Sequence, residues 1–496
     1  MDGDPVDEVR RAVDGAVGGP ADAGEALGSV LLAVGRSGDA ESISRAAQVL
    51  VEADPRVWLA LDGAARRRSW YPSTWAEEAA ERFAGDRPGV LDVLLAACHR
   101  NGFVREAAVA VIAEREDEVL LPVVALRAAD WVPQVRERAR PVCRRTLDRA
   151  PTAAVGLAPV AFLLRDRRVG GWLADALEEW FRAGPPEALD AGLAARDRRT
   201  RRAAHTVGLA AGRLGLDRMV RAATTDRDLP IRIRCAEAAI RAARAVGDED
   251  VPRRLLAGGT AAVRAEAVRA LGNEVDAEAA LADRSGLVRA VAQALVRRAG
   301  VDPAARYRDL LARRPPDPAV IAGLGDTGSP ADADLIRPWL AHPSSRGRAE
   351  AVRALRRLGV TSPGPLLPLL TDPVSSVTRQ ATLSLLRQAE ALDERELGRL
   401  LDDHHPRHVR TAAYRLLRAH GPWTRIAVDL RLVTDPDLRA DARGDLTAWL
   451  ERDAATTYAV PRGSRAEELA ALITAAEPVL GASRTRALRF HLGATR

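Results

Sequence analysis

One short pattern returns along the chain about every thirty residues, and it constrains the fold more than any other feature. A turn residue, which we call the anchor, is followed by an apolar residue at the fifth position. Arg usually stands at the sixth position and a small residue at the ninth. The clear anchors are His99, Asp130, Asp226, Gly258, Asp283, His342, Asp372 and His404. Asp54 and Asp435 are weaker copies, and Asp166 and Asp197 fall where the long gap after Asp130 leaves room for two more. A fixed period of this length predicts tandem structural repeats rather than separate ordinary domains.

Each repeat has the pattern of two helices. The residues at the fifth, ninth, twelfth and sixteenth positions lie within a narrow helical arc and are mostly Val, Ala and Leu. A small residue at the ninth position lets a neighbouring helix approach closely; examples are Gly63, Ala139, Cys235, Ala292 and Gly444. One helix pair cannot bury its apolar faces alone, so successive pairs must stack. The sequence therefore predicts an all-α fold, a right-handed α-solenoid of tandem antiparallel helix pairs of about 30 residues.

The predicted array covers residues 29–450. Residues 1–28 are acidic and rich in Gly, which favours a flexible or loosely docked N-terminal segment. Residues 451–496 are expected to form C-terminal capping helices, because Ser464 and Glu467 have the spacing of a capping box ahead of an apolar run.

Residues 324–342, LGDTGSPADADLIRPWLAH, resemble a known repeat. The run of Gly, Gly and Ala before a leucine-bearing helix is similar to the short HEAT-like repeat of the phycobilisome-lyase type, within the HEAT-repeat superfamily. Residues 34–57 are a weaker copy, and the resemblance extends over about residues 30–450. It implies an α-solenoid with the second helices on the concave side. It specifies no function, because such arrays serve many unrelated tasks.

The Arg at the sixth position is the most regular polar feature. It occurs as Arg105, Arg136, Arg232, Arg264, Arg289 and Arg410, beside the acidic anchors Asp130, Asp226, Asp283 and Asp372. These arginines could form a binding ladder. The simpler interpretation, which we prefer, is that each Arg donates hydrogen bonds to the Asp of its own or the next turn, and in the resembled family this pairing is architectural.

A second set of arginines lies on the opposite arc of the second helices. This predicted basic stripe consists of Arg140, Arg144, Arg269, Arg297, Arg353, Arg356, Arg415 and Arg418. Guanidinium groups at such spacing suit phosphates or an acidic partner surface. The alternative is an ordinary solvated helix face in a chain with a formal net charge of +6 whose 74 basic residues are all Arg. Codon bias in a GC-rich bacterial genome would explain that composition.

Three other segments have candidate chemistry. Residues 196–205, RDRRTRRAAH, are the densest basic stretch but contain no aromatic residue for base stacking. Residues 65–75, ARRRSWYPSTW, could be a recognition loop or an inserted helix packed by its Trp residues. His404 and His408 are four residues apart, as in a metal site, but Pro406 disrupts the helix between them. We therefore expect no metal and no cofactor, and no catalytic motif stands out.

The cysteines and the N-terminus favour a cytoplasmic protein. Cys98, Cys143 and Cys235 are widely separated, which is atypical of disulfide frameworks and thiolate metal sites. The N-terminus lacks the basic and apolar regions of a signal peptide. The longest uncharged run, residues 150–164, is too short to cross a membrane.

Our leading functional hypothesis is a non-catalytic scaffold or adaptor that presents an extended surface to a protein partner. Nucleic-acid binding along an Arg-rich concave face is the alternative. An enzyme of lyase or DNA-glycosylase type comes third, with no catalytic residue to assign. The sequence suggests neither a membrane partner nor a small-molecule substrate.

Overall fold

A computed structural model describes residues 4–19, 22–37, 39–67, 88–115, 117–312, 316–457 and 460–493. All regular secondary structure in these ranges is helical. The chain divides into two compact units, Met1–Leu255 and Leu256–Arg496.

The helices of the first unit follow one another with short turns between them. They are α1 (Pro5–Gly18), α2 (Ala23–Ser37), α3 (Ala40–Glu52), α4 (Arg56–Arg67), α5 (Val90–Cys98), α6 (Gly102–Ala113), α7 (Leu121–Arg127), α8 (Pro133–Arg149), α9 (Ala158–Leu164), α10 (Gly171–Ala183), α11 (Pro186–Ala194), α12 (Arg198–Ala210), α13 (Leu216–Thr225) and α14 (Leu229–Ala245). Short 3-10 helices, Glu118–Leu120 and Ala153–Leu157, precede α7 and α9.

The next helix, α15 (Asp250–Gly258), spans the boundary between the units, and the second unit continues the alternation. Its helices are α16 (Ala261–Leu271), α17 (Glu274–Ala280), α18 (Gly286–Arg298), α19 (Pro303–Leu311), α20 (Pro318–Thr327), α21 (Ala333–Ile336), α22 (Ser345–Arg357), α23 (Pro363–Leu366), α24 (Ser375–Leu385), α25 (Glu394–Arg399), α26 (Arg407–Arg418), α27 (Pro422–Leu432), α28 (Arg439–Arg452), α29 (Ser464–Leu480) and α30 (Ala482–His491). Its 3-10 helices are Pro330–Asp332, Arg337–Ala341, Leu367–Thr371, Leu386–Ala391 and Ala454–Thr456.

These helices form the tandem pairs that the sequence predicts. Each odd-numbered helix is the first of a pair and the following even-numbered helix is the second. Second helices pack against the next second helix, as α6 does on α8 in the first unit and α22 and α26 do on α24 in the second. The fold class is therefore an all-α solenoid.

The apolar positions of the repeat form the core. Val135 and Ala139 are fully buried in α8, and so are Val288 and Ala292 in α18. The repeat that begins at the weak anchor Asp435 departs from this pattern, because Gly444 at its ninth position is exposed. In α28 the buried residues include Ala442, Leu446 and Trp449, so the inward face is displaced from the predicted positions; assigning Gly444 to close helix packing was wrong.

The anchor side chain holds the turn before the second helix. Its oxygen accepts the backbone N–H two residues later, from Val132 to Asp130 at 2.9 Å, from Ser285 to Asp283 at 2.7 Å and from Val374 to Asp372 at 2.9 Å. At His99 and His342 the ring Nδ1 accepts the corresponding N–H at 3.1 and 3.0 Å. Asp and His can both serve as anchors because both present an acceptor close to the backbone.

Two parts of the repeat scheme need correction. The pair α19 and α20 has no anchor of the predicted type; Pro316 stands in the turn, and its carbonyl faces His342 Nε2 at 3.1 Å. In the pair α11 and α12, Arg201 donates to the carbonyl oxygen of Ala195 at 2.9 Å, so Ala195 holds the anchor position. Asp197 instead caps α12 by accepting the Thr200 N–H at 2.8 Å.

The structure describes helices near both ends of the chain. Within residues 1–28, α1 is a regular helix whose buried Val6 and Val9 lie against its neighbours, because apolar residues recur on one face. That region of the structure is therefore docked. At the other end, Gly463 is the N-cap of α29 and Ser464 is its first helical residue, with no side-chain cap hydrogen bond. The predicted capping box is therefore wrong.

Candidate functional site

The repeated Arg at the sixth position faces the turns. Arg105 donates to both carboxylate oxygens of Asp130, the next anchor, at 2.9 and 3.0 Å. It also donates to the carbonyl oxygens of His99 and Arg100 at 2.9 and 3.0 Å. Arg127 adds a contact to Asp130 at 2.7 Å, and all three charged side chains are buried. Burial alone would raise the pKa of Asp130, but Arg127 and Arg105 outweigh it and hold that pKa below its usual range.

The same fork joins two repeats in the second unit. Arg264 donates to both oxygens of Asp283 at 2.9 and 2.8 Å, and Arg348 donates to both oxygens of Asp372 at 2.7 and 3.0 Å. Each fork connects one repeat to the anchor of a following repeat. A bidentate guanidinium–carboxylate pair fixes both distance and orientation. These contacts act between neighbouring turns and leave the two guanidinium forks occupied.

The other arginines of the sixth position do not form this fork with the next anchor. Arg136 donates to the Asp130 carbonyl oxygen at 2.7 Å, and Arg232 donates to that of Asp226. Arg289 reaches Asp326 at 3.0 Å.

Arg410 donates to the Leu401 carbonyl oxygen at 2.8 Å and pairs with Asp435 and Asp437. Arg201, which the sequence prediction omitted, belongs to the same ladder through Ala195. Its position six residues after Ala195 could have revealed it.

Three of the eight arginines of the predicted basic stripe are paired with acids, and three more contact other side chains. Arg269 pairs with Glu266 on its own helix. Arg353 donates to Glu350 at 2.8 Å, also on its own helix.

Other stripe arginines contact the neighbouring repeat. Arg418 on α26 pairs with Asp445 on α28, and Arg356 donates to the side chain of Gln380 at 3.0 Å. In the first unit, Arg140 and Arg144 lie over the Trp172 ring, at 4.7 and 5.1 Å from its centroid. Arg297 and Arg415 are exposed and have no ion pair within the described ranges. The structure thus interrupts the stripe with acidic partners.

One open cavity in the second unit contains two arginines, Arg379 and Arg415, without a side-chain hydrogen bond or ion pair in the described structure. We call it the Arg415 groove; it has a volume of about 760 Å³. Its walls come from the second helices α24, α26 and α28. It is lined by Ser375, Ser376, Arg379, Thr382, Arg407, His408, Thr411, Ala412, Arg415 and Asp441.

Unused hydrogen-bond donors meet in this groove. Across the described chain, Arg379, Arg415, Ser375 and Ser376 have no side-chain hydrogen bond or ion pair. Three guanidinium groups of the lining face a single carboxylate, that of Asp441. The groove therefore has an excess of positive charge and a set of free donors suited to an anion.

The sequence of the two central helices explains this imbalance. Neither α24, SSVTRQATLSL, nor α26, RHVRTAAYRLLR, contains an acidic residue. Both helices also begin without a side-chain cap, whereas Ser344 caps α22 by accepting the Gly347 N–H at 3.1 Å. Sequence reasoning selected Arg415 and missed Arg379, although two successive second helices without acids could have indicated both.

A buried acidic pair lies beneath the neighbouring part of α26. The Tyr414 hydroxyl donates to Asp429 at 2.5 Å, and the Asp445 carboxylate lies close enough to influence the Asp429 carboxyl. Burial raises the pKa of Asp429 to about 8, and the nearby Asp445 adds to that rise. Arg425 donates to both oxygens of Asp445 at 2.7 and 2.9 Å. The arginines beside Asp445 lower its pKa, so at neutral pH Asp429 is mostly protonated and Asp445 carries the charge.

The dense basic stretch 196–205 lies at a cavity of the first unit, also about 760 Å³. Arg196 pairs with Glu52 across this cavity at 3.7 Å. Asp54 and Asp197 supply two further carboxylates to its lining, against Arg56, Arg196, Arg198 and Arg199. Arg202 is paired with Asp228 at 2.8 Å. The basic stretch is therefore largely compensated by acids, unlike the Arg415 groove.

The remaining candidate segments have no assembled site. The His404 and His405 rings are tilted against each other with their centroids 4.0 Å apart, while His408 Nε2 is hydrogen-bonded to the Asp372 carbonyl oxygen at 3.0 Å. Within the described ranges, no group of three metal-ligating side chains occurs. In the segment 65–75, residues 65–67 end α4 and the others lie outside the described residues. No helix in the described ranges is both long and apolar enough to span a membrane.

No family description and no curated protein matches this chain. Similar solved structures include Kap95p with RanGDP, at 12% identity and a TM-score of 0.37, covering 100% of this chain and 66% of that chain. Importin beta has 12% identity and a TM-score of 0.26 over 99% of this chain and 67% of that one. UNC-45 from Drosophila melanogaster has 12% identity and a TM-score of 0.25 over 98% and 75%. Likeness at this level carries no argument, and the phycobilisome-lyase type of repeat stays a prediction.

Proposed function

We propose that this chain is a non-catalytic cytoplasmic scaffold that binds an acidic segment of a protein partner in the Arg415 groove. The observation that carries the proposal is a contrast within one unit. Arg348, in the ladder, has its guanidinium fork filled by Asp372, while Arg379 and Arg415 on the next two second helices are left unpaired. Charged groups left exposed and unpaired in a groove attract a complementary surface.

The groove supports binding better than catalysis. His408 supplies the imidazole of its lining, and its Nε2 is hydrogen-bonded to a backbone carbonyl oxygen. In the described structure no serine hydroxyl of the groove is hydrogen-bonded to that ring, as a nucleophile and its base would be. The guanidinium groups can bind an anion without any proton transfer.

The arrangement of charges favours protein over nucleic acid. A duplex or single strand needs a continuous track of cations, and the flanking arginines Arg353 and Arg418 are paired with acids. The groove lining also contains no Phe, Tyr or Trp ring on which a base could stack. A short acidic segment needs only the groove itself.

Affinity capture from the native host tests the proposal. The full chain, R379E/R415E and the control R484E/R486E are used as baits, with and without nuclease. Arg484 and Arg486 are exposed arginines of α30 outside the groove, so the control makes the same change of charge. We expect to capture a protein whose retention is the same with and without nuclease. The full chain and the control should retain this protein, and R379E/R415E should lose it. Equal retention by both variants would contradict the proposal, and nuclease-sensitive retention would favour nucleic acid.

A further inference from the structure

The free donors of the Arg415 groove outnumber the acceptors of one carboxylate. Each guanidinium of Arg379 and Arg415 presents several N–H donors in a planar fork, and the hydroxyls of Ser375 and Ser376 add two more. These groups come from two adjacent helices and line one cavity. A carboxylate carries one charge and two oxygens, so it would leave part of this set unused.

The charge of the groove matches a phosphate monoester. Arg379, Arg407 and Arg415 contribute three positive charges and Asp441 one negative charge, which leaves a formal charge of +2. A phosphorylated side chain carries about −1.5 to −2 at pH 7 and has three strong acceptor oxygens. The phosphate oxygens are arranged tetrahedrally and can accept hydrogen bonds from two helices at once. A planar carboxylate has fewer oxygens and suits this arrangement less well.

The groove accepts an isolated phosphate rather than a run of phosphates. Arg418 on α26 is paired with Asp445, and Arg353 on α22 is paired with Glu350. Asp441 on α28 would repel a second phosphate at that wall. A single anionic group on a flexible chain fits these limits.

We infer that the Arg415 groove binds the phosphorylated side chain of a serine or threonine in the partner protein. This inference rests on the proposed function and adds that modification of the partner controls its binding. Arg379 and Arg415 neutralise the phosphate, and the hydroxyls of Ser375 and Ser376 donate to its oxygens. Without the phosphate, only the acidic residues of the partner would bind in the groove.

Peptide binding to the full chain tests this inference. The probes are fluorescein-labelled acidic peptides that differ at one central residue, which is phosphoserine, serine or glutamate, and the measurement is fluorescence anisotropy. We expect the phosphoserine peptide to bind at least about tenfold more tightly than the glutamate peptide. S375A/S376A should weaken binding of the phosphoserine peptide and leave binding of the glutamate peptide unchanged. R379A/R415A should weaken binding of both peptides. R484A/R486A should bind the peptides with wild-type affinity. Inorganic phosphate should compete with the phosphoserine peptide for the groove.

Two results would overturn the inference. Equal affinity for the phosphoserine and glutamate peptides would show that the groove recognises charge alone. Tighter binding of an oligonucleotide than of the phosphoserine peptide would assign the groove to nucleic acid. If the peptides bind equally and the captured partner still depends on Arg379 and Arg415, the proposed function stands and only the phosphate inference fails. Far-ultraviolet circular dichroism of each variant checks that the helices are intact.

Discussion

Removing the charge of Asp130 should destabilise the first unit strongly. Asp130 accepts four hydrogen bonds, from Arg105 at 2.9 and 3.0 Å, from Arg127 at 2.7 Å and from the Val132 N–H at 2.9 Å. Asp130→Asn keeps the shape, but its amide nitrogen then faces guanidinium donors. Both arginines are buried and cannot turn to water, so we expect a loss of about 3–5 kcal/mol in the free energy of unfolding.

The matched control is Asp190→Asn in the same unit. Asp190 pairs with Arg218 at 2.5 Å, but both side chains are about half exposed, at 48% and 50%. An exposed pair of this kind is worth about 0.2–1 kcal/mol. Urea unfolding followed by circular dichroism measures both variants, with similar slopes required for the comparison. A difference below about 0.5 kcal/mol between the two variants would refute the architectural role of the buried fork.

Three further predictions concern buried groups. Asp429 holds a proton in the folded protein up to pH about 8, whereas the unfolded chain loses it near 3.8. Its contribution to stability therefore falls as pH rises between these values, by up to ~1.4 kcal/mol per unit, and Asp429→Asn should abolish that slope in urea unfolding at several pH values. Gly325→Ala places a methyl carbon 2.6 Å from the Ala354 Cα and should lower the unfolding midpoint by several degrees, while Gly364→Ala, with open space around it, should not. The three cysteine thiols are buried with a pKa of about 12, so a thiol reagent at pH 8 should modify them only after unfolding; rapid modification of the folded protein would contradict this.

The sequence predicted the helix pairs because their cause is local and repeated. An anchor, a small buried residue and apolar positions at fixed spacing specify each pair, and burial of Val135 and Ala139 follows directly. The repeat pattern did not predict the anchor position in two pairs, where a residue of another type stands in the turn and the helix pair still forms. Pro316 and Ala195 serve as turn residues through backbone carbonyls, and a carbonyl is present at every position in a sequence.

The candidate site was harder to predict, since it depends on which charges are neutralised. Glu266 and Glu350 stand three residues before Arg269 and Arg353, so these helical pairs could have been read from spacing. The pairing of Arg418 with an acid 27 residues later could not, because it requires the packing of successive repeats. The positive charge of the groove depends both on its arginines and on the lack of acidic residues in α24 and α26.

Hydrogen exchange of the full chain with and without its captured partner tests the central claim most directly. The account predicts that the partner slows exchange in Ser375–Leu385 and Arg407–Arg418, the two helices that carry the unpaired arginines. It predicts little change in α8, where Arg140 and Arg144 already lie over Trp172. Protection elsewhere in the chain, with α24 and α26 unchanged, would contradict it.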